Sequence, residues 1–331
     1  MRRSWLILIA VSLSLSLTVP VLYGGLDSLR ALRQVPPWAI AALLGMVGVG
    51  WLFNAARIRL LATSLGGRLS RRRALLTVVA SEFAGVATPA NAGNPPTYVL
   101  LLSRQDLKVA QAAAVVAVDG LTDLVFFATA VPMALLLFTL DRGISHPLRI
   151  GGLLLGLTVL GLAALVMLLR HYRTVALWIG RRLGHTPRTR RLRYRLARGL
   201  IQFRHAVRLL LGMGLGRLVL LYLFCVGHWM LRYGILPMIL WFLGEAVPWG
   251  YLFVMQGLLL FLGQVIVLPG GGGGVEIAFS AMLAPYLDPT TTATTLLLWR
   301  FCTFYWYLIA GAPVFALASS QAAGGMARGS S

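Results

Sequence analysis

Long apolar stretches, separated by short segments rich in arginine, make up most of this 331-residue chain. A helix that spans a bilayer needs about 20 consecutive apolar residues. The pattern therefore predicts full transmembrane spans over residues 5–26, 38–56, 109–140, 149–169, 215–243 and 291–317. We expect Arg57 and Arg59 to close the second span. The chain is thus predicted to be an all-α polytopic membrane protein with about six full spans.

Two further apolar segments are interrupted by proline, glycine and asparagine, in the runs TPANAGNPP (88–96) and LPGGGGGVE (268–276). Several arms around these breaks are too short to span. Broken backbone at membrane depth must be covered by protein or by a water-filled cavity. We therefore predict two re-entrant helical hairpins. Basic residues at both ends of the first place it on the cytoplasmic side, and the second enters from the opposite face.

The two breaks are related by an offset of 180 positions. At this offset Pro89 corresponds to Pro269, Gly93 to Gly273 and Leu107 to Leu287. If the two copies insert in opposite orientations, they form an inverted repeat, which is a recurring plan of secondary transporters. The predicted fold is therefore about six spans plus two opposed re-entrant hairpins in an inverted repeat.

Composition agrees with this fold class and narrows the partners. The chain is 58% hydrophobic and 12% charged, with a mean hydropathy of +0.81, which excludes an ordinary soluble domain. The formal net charge is +21, and Lys108 is the single lysine. We attribute this charge to cytoplasmic loops that face anionic lipid headgroups, and we expect no nucleic-acid partner.

The longest polar stretch, residues 171–208, has many arginines and no acidic residue, so we place it in the cytoplasm. Leucines at helical spacing predict an amphipathic helix, which either lies at the membrane surface or packs on the domain. The surface alternative predicts an anionic-lipid surface formed by Arg190, Arg191, Arg193, Arg195 and Arg198. Residues 1–320 are predicted to be one transmembrane domain, and residues 321–331 a disordered cytoplasmic tail.

Six charged residues fall inside apolar segments, where each costs about 2.5–3.5 kcal/mol on insertion scales. They are Glu82, Asp119, Asp123, Arg232, Glu276 and Arg300. Asp119 and Asp123 are four positions apart and share a helix face, and we expect Arg300 to pair with one of them. Two interpretations stay open and are compatible: a buried ion pair that fixes helix packing, or charges that line a polar cavity for a lipid headgroup.

Glu276 follows the glycine run and begins a new helix, where a carboxylate favours the positive end of the helix dipole. It either caps that helix, binds a cationic headgroup or carries a proton. The glycines either let a phosphate approach bare amides or form a flexible gate. The candidate substrate-binding or gating residues are Glu82, Pro89, Asn91, Gly93, Asn94, Asp119, Asp123, Pro269, Gly270, Gly271, Gly272, Gly273, Gly274, Glu276 and Arg300.

Known catalytic and metal-binding patterns are missing from the sequence. It contains no zinc-type His/Glu pattern, no phosphate-binding loop and no nucleophile elbow. We therefore expect no metal, no cofactor and no catalytic residues. Cys225 and Cys302 lie in apolar segments and are predicted to be free thiols in the core.

The segment from Pro269 to Ala278 resembles the proline-glycine-glycine-x-glycine-x-x-glutamate signature of the lysylphosphatidylglycerol synthase transmembrane region, also described as the flippase-like domain family. Pro89, Gly93 and Asn94 stand where members carry a similar proline/glycine motif. Asp119 and Asp123 match an acidic helix segment, and Arg300 a late-helix arginine. The resemblance covers roughly residues 5 to 320.

The resemblance implies a prokaryotic cytoplasmic (inner) membrane protein that moves lipids between leaflets. The predicted order of spans places both termini in the cytoplasm. The chain ends soon after its last predicted span, so we expect no aminoacyltransferase domain and no synthase activity. Family relatives imply several lipids as partners: anionic phospholipid, aminoacyl-phospholipid, polyprenyl-linked lipid or hopanoid. A homo-oligomer is left open beside a monomer.

The function expected from the sequence is that of a flippase that passes a phospholipid or lipid-linked headgroup through a central polar cavity. Two alternatives are kept. The first is a membrane enzyme acting on lipid-linked substrates, which needs an acid/base or metal cluster that the sequence does not show. The second is a non-transporting scaffold that recruits partners through the basic loop.

Overall fold

The computed structural model describes residues 2–141 and 212–328, and the isolated positions 156, 159–161, 163, 167, 174 and 209 between them. Within these residues all regular structure is helical. The longer helices are α1 Arg2–Gly24, α2 Asp27–Gln34, α3 Pro37–Ser64, α4 Arg71–Val86, α5 Asn94–Leu102, α6 Val109–Asp141, α7 Leu215–Phe242, α8 Trp249–Val265, α9 Gly274–Leu283, α10 Pro289–Arg300 and α11 Trp306–Arg328.

Five helical stretches in the described part of the chain are long and apolar enough to cross a membrane. They are α1, α3, α6, α7 and the combined α10–α11 stretch, so five of the six predicted spans have a counterpart. The sixth predicted span, 149–169, lies outside the described residues apart from isolated positions. The basic loop 171–208, with Arg190, Arg191, Arg193, Arg195 and Arg198, also lies outside them.

The second span is longer than predicted. Helix α3 begins with a proline at its first position, which suits the fixed backbone angle of that residue. It then continues through Arg57 and Arg59 to Ser64, so the prediction that these arginines close the span is wrong. The physical reason is that Arg57 does not reach water; its side chain is buried and faces two carboxylates on α6.

The last span is two helices joined without a turn. A single π-helical stretch, Phe301–Tyr305, connects α10 to α11. Such stretches are rare and often occur at functional sites. Helix α11 runs to Arg328, so helical backbone covers most of the segment 321–331 that was predicted to be a disordered tail. The sequence there, QAAGGMAR, contains good helix formers before and after its glycine pair.

The buried apolar side chains of the described helices form two clusters. Helix α3 lies along α7, α4 packs against α11, and α8 packs against α6. Helix α1 covers α10 and contacts α9. Cys225 and Cys302 are buried and form no disulfide, which confirms the prediction of free core thiols. This packing leaves α3, α4, α6, α7 and α8 around the region where the buried charges lie.

Each break folds the chain into a helical hairpin. Helix α4 packs against α5 and α8 against α9, and the two breaks contact each other. Both contain a one-turn 3-10 helix, at Pro89–Asn91 and at Pro269–Gly271. These turns are 180 positions apart, and so are the starts of α5 and α9 and the starts of α6 and α10. The backbone thus repeats at the offset that the sequence predicted.

The two 3-10 turns also share their backbone angles. The second and third residues have positive φ in both: Ala90 and Asn91 at 53° and 56°, Gly270 and Gly271 at 62° and 70°. Positive φ is uncommon for alanine and is adopted readily by glycine. The two turns therefore share positive φ at these two positions, which the second builds from glycine and the first from alanine and asparagine. They diverge two residues later, where Gly93 has φ −78° and Gly273 has φ 83°.

Candidate functional site

The glycines of the second break permit close packing. A Cβ at Gly270 would overlap the ring of Phe304, and one at Gly272 would overlap the hydroxyl of Ser12. Gly271, Gly272 and Gly273 are buried. Helix α1 and the π-helical stretch therefore cover this part of the break. In the conformation described, Gly271, Gly272 and Gly273 therefore lie against protein.

An ion pair at the second break joins three segments. Arg300 Nε lies 2.7 Å from Glu276 Oε1, and Arg300 Nη1 donates to the carbonyl oxygen of Gly270 at 2.9 Å. Ser16 donates a hydrogen bond to the same Glu276 oxygen. Ser12 donates to the carbonyl of Pro269 at 2.5 Å. Together these contacts fasten α1, α9 and α10 to the broken backbone.

The partner of Arg300 differs from the sequence prediction. We expected it to pair with Asp119 or Asp123, but it pairs with Glu276. The reason is that α10 packs directly against α9 and brings the two side chains together. Glu276 has no exposed surface, so in this conformation its carboxylate is paired with Arg300 and out of reach of a ligand in either cavity.

The first break is held by side chains. Thr88 Oγ1 accepts a hydrogen bond from the amide of Gly93 and donates to the carbonyl of Ala84, each at 2.7 Å. Gly85 has no Cβ, which leaves room for the side chain of Asn91. Asn91 is exposed and Pro89 half-buried, whereas their counterparts in the second break are buried. The first break is therefore the more accessible of the two.

A second ionic cluster lies between α3 and α6. Arg57 Nε is 2.5 Å from Asp119 Oδ1, and Arg57 Nη1 is 2.6 Å from Asp123 Oδ1. The indole of Trp229 donates to the same Asp123 oxygen at 2.7 Å. The predicted common face of the two aspartates is thus confirmed, and its cation is Arg57. A buried arginine between two carboxylates is stable only as an intact unit.

A third ionic contact links α4 to α7. Arg232 Nη1 lies 3.7 Å from Glu82 Oε2 and donates a hydrogen bond to Tyr307 Oη at 3.0 Å. The guanidinium also lies over the rings of Tyr307 and Trp229, at 5.1 Å and 5.8 Å from their centres. The carboxylate is beyond direct hydrogen-bond distance. This is a weaker contact than the other two ion pairs.

These charges border two cavities. The larger has a volume of about 530 Å³, and its polar lining consists of Asn54, Arg57, Glu82, Asn91, Asn94, Tyr98, Asp119, Asp123, His228, Trp229, Arg232 and Gln264. The smaller, of about 120 Å³, lies between the two breaks and includes Glu82, Thr88, Asn91, Arg232, Gly270 and Arg300 in its wall. Glu82, Asn91, Arg232 and Gln264 line both.

The structure brings seven of the fifteen predicted site residues to these cavities. Glu82, Asn91, Asn94, Asp119 and Asp123 line the larger one, and Gly270 and Arg300 line the smaller. The others shape or lock the breaks from outside the cavity walls: Pro89, Gly93, Pro269, Gly271, Gly272, Gly273, Gly274 and Glu276. Their role in substrate binding or gating stays a prediction.

Sequence reasoning missed several residues of the site. Arg57 was interpreted as the end of a span, and Arg232 was counted as an intramembrane charge without a place in the site. Trp229 and Tyr307 were not singled out. A signal existed for Arg57, because two carboxylates on one face of α6 need a cation and apolar residues flank this arginine on both sides.

Metal ligation has no support in the described part of the chain. No group of three or more histidine, cysteine, aspartate or glutamate side chains is arranged there to hold a metal ion. The acidic residues of the larger cavity instead face arginines. Their geometry is that of an ion-pair network.

The fold and the site together define a polytopic α-helical membrane protein with an ion-paired polar cavity beside two helix breaks. Residues 5–311 match the family described as the Lysylphosphatidylglycerol synthase TM region, and the chain belongs to this family. A UPF0104 membrane protein of Archaeoglobus fulgidus is 25% identical over 267 residues, which are 79% of this chain and 81% of that protein. The resemblance inferred from the glycine motif is thereby confirmed.

Proposed function

We propose that this protein is a flippase, which moves a phospholipid or lipid-linked headgroup between the leaflets of the prokaryotic cytoplasmic membrane. The observation that carries the proposal is the cavity of about 530 Å³, which is lined by five charged side chains and whose wall includes the candidate membrane spans α3, α6 and α7. Charges at membrane depth are costly and usually mark a substrate or ion pathway. Membership of a lipid-related family supports a lipid as the substrate.

Packing alone does not account for this arrangement. The ion pairs of Arg57 and Arg300 are tight and join helices, as a purely structural role requires. A large polar cavity adds nothing to helix packing, because interiors are otherwise close-packed. We therefore assign the tight pairs to holding the cavity wall and the breaks, and the cavity itself to the headgroup.

The cavity wall is mostly apolar on the side of α8, where Gln264 is polar and Val254, Leu258, Leu260 and Phe261 are apolar. Leu258 and Phe261 line the cavity and expose 54% and 69% of their surfaces. Such side chains suit contact with lipid tails, whereas the charged side chains lie on α3, α4, α6 and α7. In the proposed mechanism the headgroup enters the polar part, while the acyl chains stay in the bilayer alongside α8.

The repeated backbone supports an inverted repeat with two re-entrant hairpins. Helices α3 and α7, which begin 178 positions apart, pack along each other, and the two breaks also meet. Pairing of equivalent elements is what an approximate two-fold axis through the centre of a transporter produces. We propose that the halves insert in opposite orientations and move against each other to expose the cavity to each leaflet in turn.

Transport by the purified protein tests the proposal. The protein is reconstituted into vesicles with a trace of phospholipid that carries a fluorophore on its acyl chain, so that the headgroup stays native. Dithionite added outside bleaches outer-leaflet label, and transported label is bleached in a second, slower phase. We expect this phase in protein-containing vesicles and not in protein-free ones.

Matched variants locate the pathway. Asp123→Asn changes a side chain in the cavity wall. Leu223→Ala changes a side chain on α7 that is 56% exposed and lies outside the cavity. We expect Asp123→Asn to slow transport by about tenfold or more, since it removes one of the charged contacts by which Arg57 holds the cavity wall. Leu223→Ala is expected to transport at the wild-type rate. Absence of transport by the wild type, with phospholipid and polyprenyl-linked probes alike, would contradict the proposal.

A further inference from the structure

One interhelical ion pair differs from the others in the described part of the chain. Those of Arg57 and Arg300 have nitrogen–oxygen distances of 2.5–2.7 Å, whereas Arg232 and Glu82 are 3.7 Å apart. The first two arginines are thus in direct contact with their carboxylates. The third pair is close enough for attraction but not for a direct hydrogen bond.

The same two residues are accessible from both cavities. The side chains of Glu82 and Arg232 are 14% and 16% exposed, whereas those of Arg300 and Glu276 are at most 5% exposed. Both Glu82 and Arg232 line the large cavity and the small one. The pair therefore lies where a headgroup in either cavity can reach it.

The guanidinium of Arg232 has donors to spare. An arginine side chain carries five N–H donors. Within the described residues, one of them is used in a hydrogen bond, to Tyr307 Oη. The remaining face of the group is open to bidentate binding of a phosphate, for which a planar guanidinium is well shaped.

The charge balance of the larger cavity opposes a purely anionic headgroup. Its wall carries three carboxylates and two arginines, so it has an excess of one negative charge when all are ionised. A phosphate that drew Arg232 away from Glu82 would leave that carboxylate without a cation. Leaving a buried charge unpaired is strongly unfavourable.

We infer that Glu82 and Arg232 together bind the headgroup of a zwitterionic phospholipid. Arg232 binds the phosphodiester and Glu82 binds the ammonium. This inference rests on the proposed flippase function and assigns its substrate class. One loose ion pair is exchanged for two contacts of opposite sign, so no charge in the cavity is left unpaired. Asn91 and Gln264, which also line both cavities, offer neutral donors and acceptors to the same headgroup.

Two lipids that differ in the headgroup test this inference. Acyl-labelled phosphatidylethanolamine carries a phosphate and an ammonium, and acyl-labelled phosphatidylglycerol carries the phosphate alone. In identical vesicles we expect the wild type to transport the first about tenfold faster or more, given the strength of a charged hydrogen bond. Glu82→Gln should abolish this preference, because it removes the partner of the ammonium and also the carboxylate that phosphatidylglycerol would leave unpaired. Arg232→Gln should slow both lipids.

Control variants remove charges of the same type elsewhere. Glu245→Gln and Arg104→Gln lie outside both cavities and should keep the wild-type rate and preference. Elution volume on gel filtration and the melting temperature in detergent show whether each variant is folded. Equal transport of both lipids by the wild type, or a preference that survives Glu82→Gln, would overturn the inference while leaving flippase activity standing.

A binding measurement decides the same question without transport. Phosphatidylethanolamine added to detergent micelles should raise the melting temperature of the wild type more than phosphatidylglycerol does, and Glu82→Gln should remove the difference, because a ligand of the folded state stabilises it. Equal effects of both lipids on the wild type would overturn the assignment. If neither these lipids nor a polyprenyl-linked probe is transported, the flippase proposal fails, and this stability comparison still decides whether the pair binds the headgroup.

Discussion

Arg300 and Glu276 form an ion pair, 2.7 Å between Nε and Oε1, at a place where Glu276 has no exposed surface. The same guanidinium binds the carbonyl oxygen of Gly270, which the broken helix leaves without a helical partner. The carboxylate after the glycine run and the arginine at the end of α10 thus act together on the break. We interpret this pair as the fastening that holds the second hairpin closed.

Removing Arg300 is expected to be more harmful than removing both members of the pair. Arg300→Gln leaves Glu276 buried without a cation, which costs about 3–5 kcal/mol. Adding Glu276→Gln removes that uncompensated charge, so the double variant should melt at a higher temperature than Arg300→Gln alone. Melting temperatures of the four proteins in one detergent measure this. A double variant that melts at or below the temperature of Arg300→Gln would contradict the ion-pair account.

Replacing Gly270 by alanine should destabilise the break through two effects. Its positive φ costs a residue with a Cβ about 1–2 kcal/mol. Overlap with the ring of Phe304 adds about 1–3 kcal/mol. Gly25 is the matched control, because its φ is +68° but an added Cβ would meet nothing within 4 Å. Gly25→Ala should therefore lower the melting temperature less than Gly270→Ala; an equal loss would show that packing around the break is unimportant.

Removing the arginine that the two α6 aspartates share is expected to destabilise the protein more than removing one of the aspartates. Arg57→Gln leaves Asp119 and Asp123 without a cation and should cost about 3–5 kcal/mol. Asp123→Asn keeps the Arg57–Asp119 pair and an oxygen for Trp229, so it should cost less, about 1.5–3 kcal/mol. Thermal unfolding of both variants in detergent checks the order. Equal stability of Arg57→Gln and the wild type would show that this cluster contributes nothing to packing.

Chemical labelling tests the proposed opposed hairpins. Cysteines introduced at Arg72 and Arg104, which flank the first hairpin, should react with a membrane-impermeant maleimide from the cytoplasmic side. Cysteines at Ala246 and Ala284, which flank the second, should react from the other side. All four positions are exposed, and the native Cys225 and Cys302 are buried, so background labelling should be low. If Arg72→Cys and Arg104→Cys react from opposite sides, the segment between them crosses the membrane, and the prediction of a re-entrant first hairpin is wrong.

Much of the fold could be predicted from hydropathy and from the breaks. Helices α1, α6 and α7 follow directly from apolar length, and the 180-residue offset between Pro89 and Pro269 reappears in the backbone. The extension of α3 could not be predicted from hydropathy, because an arginine inside a span has the same sequence signature as one at its end. Only the packing of α3 against α6 distinguishes the two cases.

The site was predictable in its residues and less so in its pairings. The sequence predicts the acidic residues Glu82, Asp119, Asp123 and Glu276, because a charge in a membrane-spanning segment is costly and usually marks a functional site. Which arginine serves which carboxylate depends on contacts between helices that are far apart in sequence. The assignment of Arg300 to the α6 aspartates failed for this reason. The pairing of Arg232 with Glu82 depends in the same way on α4 meeting α7 across the cavity.

Lipid photo-crosslinking tests most directly whether the headgroup occupies the cavity. Two phospholipid probes, one with a diazirine on the headgroup and one with it on an acyl chain, are incorporated into vesicles that contain the protein, and adducts are mapped by mass spectrometry. The account predicts headgroup adducts in α4 and α7 near Glu82 and Arg232, and acyl-chain adducts near Leu258 and Phe261. Headgroup adducts confined to the helix ends at the membrane surface, with none in the cavity wall, would contradict it.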